Sequence, residues 1–357
     1  MLILKLVLLA LAAFVVVATL LPFVRRDEWW IRVFDFPRGQ IALLGLGVAA
    51  LSALALDRTQ TWQIVVLGVL GLCVAYQCYR MFPYTILAPR QVQPAKSPDP
   101  DASFKLLIAN VLMDNRASDS FLALVRRFDP DLILTVETDA WWERELRVLD
   151  AEYPHTIKRP IDNTYGMLLH ARLELVDPQI SYLVEDDIPS FHTQVRLPGG
   201  RTFRLHCVHP RPPYPSEDED TTDRDAELLL VGRAVKEHGG PAVVTGDLND
   251  VAWSHTTHLF QRISGLLDPR VGRGMYNTFD ARNPLLRWPL DHVFHSEHFK
   301  LVRLVRLPAW GSDHFPMLAE LCLDPAAPLE QEAPAEDRED REEAAEKIEK
   351  AEPQAQP

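Results

Sequence analysis

Gly246-Asp247-Leu248-Asn249 directly follows the apolar run Ala242–Thr245. Gly246 permits a tight turn, and Asp247 and Asn249, two apart, face the same way if the backbone stays extended. A carboxylate and an amide converging there suit orientation of a water and a phosphoryl oxygen. These residue types are also ordinary turn formers, so the group needs company. Gly311-Ser312-Asp313-His314-Phe315-Pro316 sets an acid beside a base. Adjacent side chains on extended backbone point to opposite faces, leaving Asp313 for a metal ion and His314 for a phosphoryl group. Asp291 lies inside the apolar stretch Trp288–Phe294, and a buried carboxylate needs a partner, for which a histidine is the obvious choice. His209 ends the run Leu205–Val208, just before Pro210-Arg211-Pro212-Pro213. Asn110 and Glu137 each close an apolar run and each offers oxygen to a metal. Hard oxygen donors select Mg²⁺ or Mn²⁺ over zinc.

The elements that must position these groups alternate. Phe104–Asn110 reads as a buried strand, Ser118–Phe128 has helical spacing, and Asp131–Glu137 is a second strand. Further strands are expected at Tyr165–His170, Phe191–Leu197, Thr202–Val208, Ala242–Thr245, Pro289–His295 and Pro316–Leu323, with a helix at Arg224–Glu237. The pattern is α/β, and ligands of such sheets gather at the C-terminal ends of strands. The absence of a Gly-x-Ser-x-Gly elbow argues against a covalent serine enzyme. His206, His255, His258, His292, His295 and His298 read as structural or surface residues.

In order, Asn110, Glu137, His209, Gly246-Asp247-Leu248-Asn249, Asp291 and Ser312-Asp313-His314, with Thr278-Phe279 before Asp291, make residues 103–323 resemble the endonuclease/exonuclease/phosphatase superfamily. That superfamily includes deoxyribonucleases, abasic-site endonucleases, sphingomyelinases and inositol-phosphate phosphatases. The resemblance implies a four-layer sandwich of two packed β-sheets flanked by helices. It implies a divalent ion at Asn110 and Glu137 with Asp313 nearby, and an attacking water oriented or activated by Asp247. Asn249 would position that water or the phosphate. His314, backed by Asp291, would contact the phosphoryl group, and His209 would stabilise it or assist the leaving oxygen. Val136 stands where the superfamily usually has Gln, and no acidic partner for His209 is evident.

The rest of the chain is unlike this segment. Residues 1–100 hold nine Lys/Arg against five Asp/Glu, 101–323 hold 24 against 33, and 324–357 hold four against 12. So acidic a middle lacks a broad footprint for a nucleic-acid backbone. The four cysteines show neither a disulfide framework nor zinc-ligand spacing. Leu6–Val24, Gly39–Leu56 and Thr59–Tyr79 carry no charge and match the roughly 20 residues that span a bilayer, so residues 1–82 are expected to hold three transmembrane helices. Trp29, Trp30, Phe34 and Phe36, interleaved with Arg25, Arg26, Arg32 and Arg38, suit the membrane interface. The positive-inside rule puts this loop, and with it the C-terminal domain, in the cytoplasm of a cell whose plasma membrane the chain crosses several times. Residues 83–102 are expected as a Pro-rich extended spacer, and 324–357 as a disordered acidic tail.

The expected protein is therefore a membrane-anchored, metal-dependent phosphodiesterase or phosphatase acting through in-line attack of water. A lipid-like phosphate is favoured as substrate, since tethering raises its local concentration. A membrane-tethered nuclease acting on nucleic acid is the alternative, and a non-catalytic membrane scaffold the reading from another class.

Overall fold

The computed structural model describes residues 2–55, 60–212 and 220–351. Asp57 and Arg58, the expected link between the second and third apolar runs, lie outside them. Four helices open the chain: α1 (Leu2–Leu20), the short α2 (Trp29–Arg32), α3 (Arg38–Ala55) and α4 (Thr61–Met81). The stretches Leu2–Phe23 and Thr61–Tyr84 are each long and apolar enough to cross a membrane. The middle run qualifies only together with Trp29–Asp35, from which it bends by 74°. Pro37 sits at the break, where its ring and missing N–H interrupt a continuous helix. Leu8, Ala12, Val15, Ile41, Val48 and Leu70 pack the three long helices together. A polar chain crosses one end of this bundle: Arg38 donates to Asp35 and to Gln77 Oε1 (2.9 Å), and Gln77 donates to Thr19 Oγ1 (3.1 Å).

The remaining chain alternates strands and helices: β1 (Ser103–Asn110), α5 (Ser118–Phe128), β2 (Leu132–Val136), α6 (Ala140–Leu146), β3 (His155–Arg159), β4 (Met167–Ala171), β5 (Glu174–Ser181), β6 (Ser190–Arg196) and β7 (Thr202–Cys207). Then follow α7 (Thr222–His238), β8 (Ala242–Asp247), α8 (His255–Ser264), β9 (Asp291–His295), β10 (Phe299–Arg306), β11 (Met317–Leu323), α9 (Ala327–Glu330) and α10 (Arg338–Ala351). One sheet runs β10-β11-β1-β2-β4-β3 and the other β5-β6-β7-β8-β9. Each contains one parallel pair, β1 with β2 and β7 with β8. Phe104, Leu106 and Ile108 of β1 face the second sheet, while Leu107 and Ala109 face α5 and α6. Burial on both faces explains why β1 reads as an unbroken apolar run. Val244 and Phe294 likewise meet α7 and α8 through Val231 and Phe260. The result is the expected helix–sheet–sheet–helix layering.

Three expectations need correction. The Pro-rich segment is not a spacer: Val92 is buried in the inter-sheet core, Leu301 N donates to Gln93 O (3.0 Å), and Tyr84 Oη donates to Ala252 O (2.5 Å). Proline prevents helix but not an extended chain laid along a sheet edge. The first loop is not freely exposed as expected: Arg32 and Arg38 are buried, and the carbonyl of the neighbouring Asp35 accepts from Trp253 Nε1 (2.8 Å). The acidic tail is not disordered throughout, since α10 packs Ala344 and Ile348 against Leu229, Leu259 and Ile263. Its Lys347, 6% exposed, bridges Asp27 Oδ1 (2.5 Å) and Asp225 Oδ2 (2.9 Å). These contacts, with the Arg262–Asp340 (2.7 Å) and His255–Glu343 (2.6 Å) pairs, order a helix whose composition is otherwise that of a solvated one. Lys347→Ala is expected to destabilise the chain by about 1–3 kcal/mol, because it takes one of two cations from the buried Asp225 carboxylate and the lysine partner from half-buried Asp27. Chaotrope unfolding and faster proteolysis within 324–351 check it.

Candidate functional site

Asn110 ends β1, Glu137 follows β2, His209 follows β7 and Asp247 ends β8, so the two parallel pairs deliver four of the expected residues from one end of the sandwich. β9 pairs with β8 so that Asp291 lies directly across from Asp247. Close backbone approach makes this possible: a Cβ at Gly246 would sit 1.7 Å from the Val208 carbonyl oxygen, and one at Gly166 would sit 1.9 Å from that of Thr138. Glu137 (φ 59°) and Asn249 (φ 50°) both occupy left-handed backbone. This costs a non-glycine residue about 1–2 kcal/mol. Local hydrogen bonds hold it: Asn249 N donates to Asp247 Oδ1 (3.0 Å), and Asn249 Nδ2 donates to Pro210 O (2.9 Å).

Asn110 Nδ2 donates to Glu137 Oε1 (2.6 Å) and to Asp247 Oδ2 (3.0 Å), while its Oδ1 accepts from Leu112 N (2.9 Å). Two carboxylates thus converge on one point that calls for positive charge. Burial above all pushes the Glu137 carboxyl up to about 7; the Asn110 hydrogen bond and His314 oppose this, and Asp247 and Asp313 add to it. Asp291 and His314 form the expected pair, Nδ1 to Oδ2, at 2.8 Å, and the other ring nitrogen lies 3.6 Å from Asp247 Oδ2. Burial by itself lowers the pKa of His314, but Asp291 and Asp247 outweigh it and raise it to about 10. At neutral pH the ring therefore keeps its proton, and the Glu137 carboxyl titrates in the same range. Ser312 Oγ donates to Asn110 O (2.8 Å) and accepts from His314 N (2.9 Å), which ties the loop to β1. Thr278 Oγ1 accepts from Asp291 N (3.1 Å), giving the Thr-aromatic pair a positioning role.

Ligand atoms of Asp247, Asp291 and His314 lie within 4.8 Å of one another, close enough for a cation. Since Asp291 and His314 already satisfy each other, the oxygens of Glu137 and Asp247 around Asn110 fit a hard divalent ion better. Asp313, the third expected ligand, has its Oδ2 engaged by Arg282 at 3.0 Å. That arginine had no motif to reveal it. His209 is buried beside the Tyr165 ring, 5.5 Å between centroids, with Arg211 over the same ring. Of the histidines read as structural, His292 fits that reading: it is buried and its Nε2 lies 2.9 Å from Asp250 O.

A cavity of about 580 Å³ opens over Glu137, Asp247, Asn249, Asp313 and His314. Its opposite wall is apolar, built by Phe279, Leu286, Trp288 and Leu290 together with Val33, Phe36 and Pro37 of the segment between α1 and α3. Phe36 meets Trp288 edge to face at 5.8 Å between centroids. Nothing in the spacing of Val33, Phe36 and Pro37 pointed to the site; their aromatic and basic neighbours suggested a bilayer surface instead.

A model of the Endonuclease/Exonuclease/phosphatase family matches residues 107–314. None of the curated proteins compared matches the chain. Among solved structures, an endonuclease/exonuclease/phosphatase from Beutenbergia cavernae DSM 12333 is 18% identical, with a TM-score of 0.51 over 62% of this chain and 72% of that one. One from Bacteroides vulgatus is 20% identical, with a TM-score of 0.51 over 62% of this chain and 99% of its own. D. rerio TDP2 complexed with single strand DNA product is 14% identical, with a TM-score of 0.50 over 62% and 99%.

Proposed function

The chain belongs to the endonuclease/exonuclease/phosphatase family, and from that premise we propose that it is a membrane-tethered, divalent-metal-dependent hydrolase of phosphoesters, with a lipid-like phosphate as favoured substrate. One observation carries the reading: the cavity over the acid–base cluster shares its space with an apolar wall that the membrane-proximal segment helps to build. A phosphoester with an apolar body satisfies both halves. The membrane reading draws on the apolar helices, and Mg²⁺ or Mn²⁺ on the oxygen-rich donor set.

Glu137 and Asp247 would hold the metal, with Asn110 orienting their oxygens and Asp313 beside them. When bound, such an ion neutralises charge on phosphoryl oxygens and lowers the pKa of water. Asp247 orients the attacking water in line with the leaving oxygen, and Asn249 keeps that water or the phosphate in position. The protonated His314 ring, oriented by Asp291, donates to the phosphoryl oxygen as charge develops there. His209, held against Tyr165, faces the same charge or the leaving oxygen. The apolar wall excludes water from one side, which strengthens each of these interactions.

The test is turnover by the full chain in vesicles, with Mg²⁺ and with EDTA, on a long-chain phospholipid, a soluble phosphodiester and single-stranded DNA. Chelator-sensitive turnover is expected, with Phe36→Asn lowering it at least about tenfold on the long-chain substrate and little on the soluble one. That loss corresponds to roughly one buried aromatic contact. DNA as the best substrate would support the nuclease reading, toward which the DNA-bound D. rerio neighbour leans. No chelator-sensitive turnover on any phosphoester would leave the scaffold.

A further inference from the structure

The three long apolar helices meet the catalytic domain at one end of their bundle. There α1 passes into a short turn at Leu21–Phe23, α3 starts at Arg38, and α4 runs out at Arg80 and Met81. A second cavity, about 180 Å³, lies among these ends and shares no lining residue with the catalytic one. Arg25, Arg32, Arg38 and Arg80 line it, against the single carboxylate of Asp35.

Several of these charges are matched. Arg38 pairs with Asp35, Arg25 pairs with Glu339 (2.5 Å), and His255 in the same wall pairs with Glu343 (2.6 Å). Arg32 and Arg80 remain. Arg32 is only 7% exposed, donates over long distances to the carbonyls of Pro22 (3.4 Å) and Val24 (3.2 Å), and its Nε has no partner among the described residues. Arg80 donates to the Trp253 carbonyl (2.6 Å). Among the described residues, neither guanidinium meets a carboxylate. Removing an arginine from water without a counter-charge is strongly unfavourable, so the arrangement calls for an anion. A guanidinium fork matches phosphate geometry with two parallel hydrogen bonds. Phe23 and Tyr76, rings 4.8 Å apart, form an apolar lip on the side of the helices.

We infer that this cavity seats the phosphate group of an anionic ligand at a site separate from the catalytic one, held by Arg32 and Arg80 with Arg25 at the rim. Its level, where the apolar helices end, suits a lipid headgroup, and that source rests on the membrane reading above; a free phosphate has the same chemistry. The anion would also bear on catalysis, because Arg32 and Arg38 flank the Val33–Pro37 segment that walls the catalytic cavity.

Calorimetric titration of the detergent-solubilised full chain, in EDTA to suppress metal-dependent binding, separates the possibilities. The probes are dihexanoyl phosphatidylglycerol, dihexanoyl phosphatidylcholine and inorganic phosphate. Saturable binding of phosphatidylglycerol is expected, weakened about 10–100-fold by Arg32→Gln, as for loss of a charge-assisted hydrogen bond. Arg25→Gln, at an exposed position, should weaken it about 2–5-fold and keeps the test alive if Arg32→Gln fails to fold. Inorganic phosphate binding as tightly as the lipid, with the same sensitivity to the arginine variants, would support the site with a soluble source. Equal binding of phosphatidylcholine with indifferent variants, or no saturable binding of any probe, overturns it. So does loss of binding in His314→Ala, which would put the anion in the catalytic cavity. Retention of the chain in carbonate-washed membranes tests the membrane reading on its own.

Discussion

His314→Ala is expected to lower the proposed metal-dependent phosphoester turnover by about 10²–10⁴-fold, the usual contribution of a positioned acid–base group. Asp291→Asn lowers it less, and the double variant is little worse than His314→Ala alone. The reason is the 2.8 Å contact between His314 Nδ1 and Asp291 Oδ2: an acid whose task is to hold an imidazole has no target once the ring is gone. Thermal unfolding belongs beside the kinetics. Asp291 is 1% exposed, and leaving it without its partner costs roughly 1–3 kcal/mol, more if it stays charged. If the two losses multiply while all three variants remain folded, Asp291 and His314 act separately and the dyad is wrong.

Glu137→Gln is expected to raise the half-saturating Mg²⁺ concentration about 10–100-fold, the range for a disturbed metal site, while raising the melting temperature of the metal-free protein. The substitution keeps an oxygen to accept from Asn110 Nδ2 and removes the charge, at the loss of the 3.3 Å acceptor for Met113 N. The stability effect has a definite sign with pH. In the fold the Glu137 carboxyl titrates near 7, above its ordinary 4.5, so a proton is bound more tightly folded than unfolded. The penalty for ionising it builds as pH rises from 4.5 to 7 and is complete above that. At pH 8 in EDTA, Gln at this position is worth on the order of 1–3 kcal/mol, and the gain vanishes below the unfolded value. An unchanged half-saturating concentration would remove Glu137 from the ion site.

The strands that present the site were legible for a physical reason. β1, β2, β4 and β8 are buried throughout or nearly so, so each reads as a short apolar run with a polar residue at or near its end. β3, β5 and β10 were missed, and each lies at the edge of its sheet. Partial exposure breaks the pattern there; β5 contains Pro178 and has no buried residue. Arg282 carries no motif of its own, and only folding sets its guanidinium on Asp313.

By itself, the sequence determined which residues are candidates for chemistry, their order along the strands, and which stretches are apolar enough for a membrane, because each of these depends on neighbours a few positions away. Only the tertiary structure decided what covers the site and what secures it. Phe36 reaches Trp288, Asp35 reaches Trp253, and Lys347 reaches Asp27 across 320 positions. Such contacts leave no local pattern: a phenylalanine among arginines reads the same whether it faces lipid or a cavity, and a lysine in an acidic helix reads as solvated until folding brings Asp27 and the buried Asp225 to it.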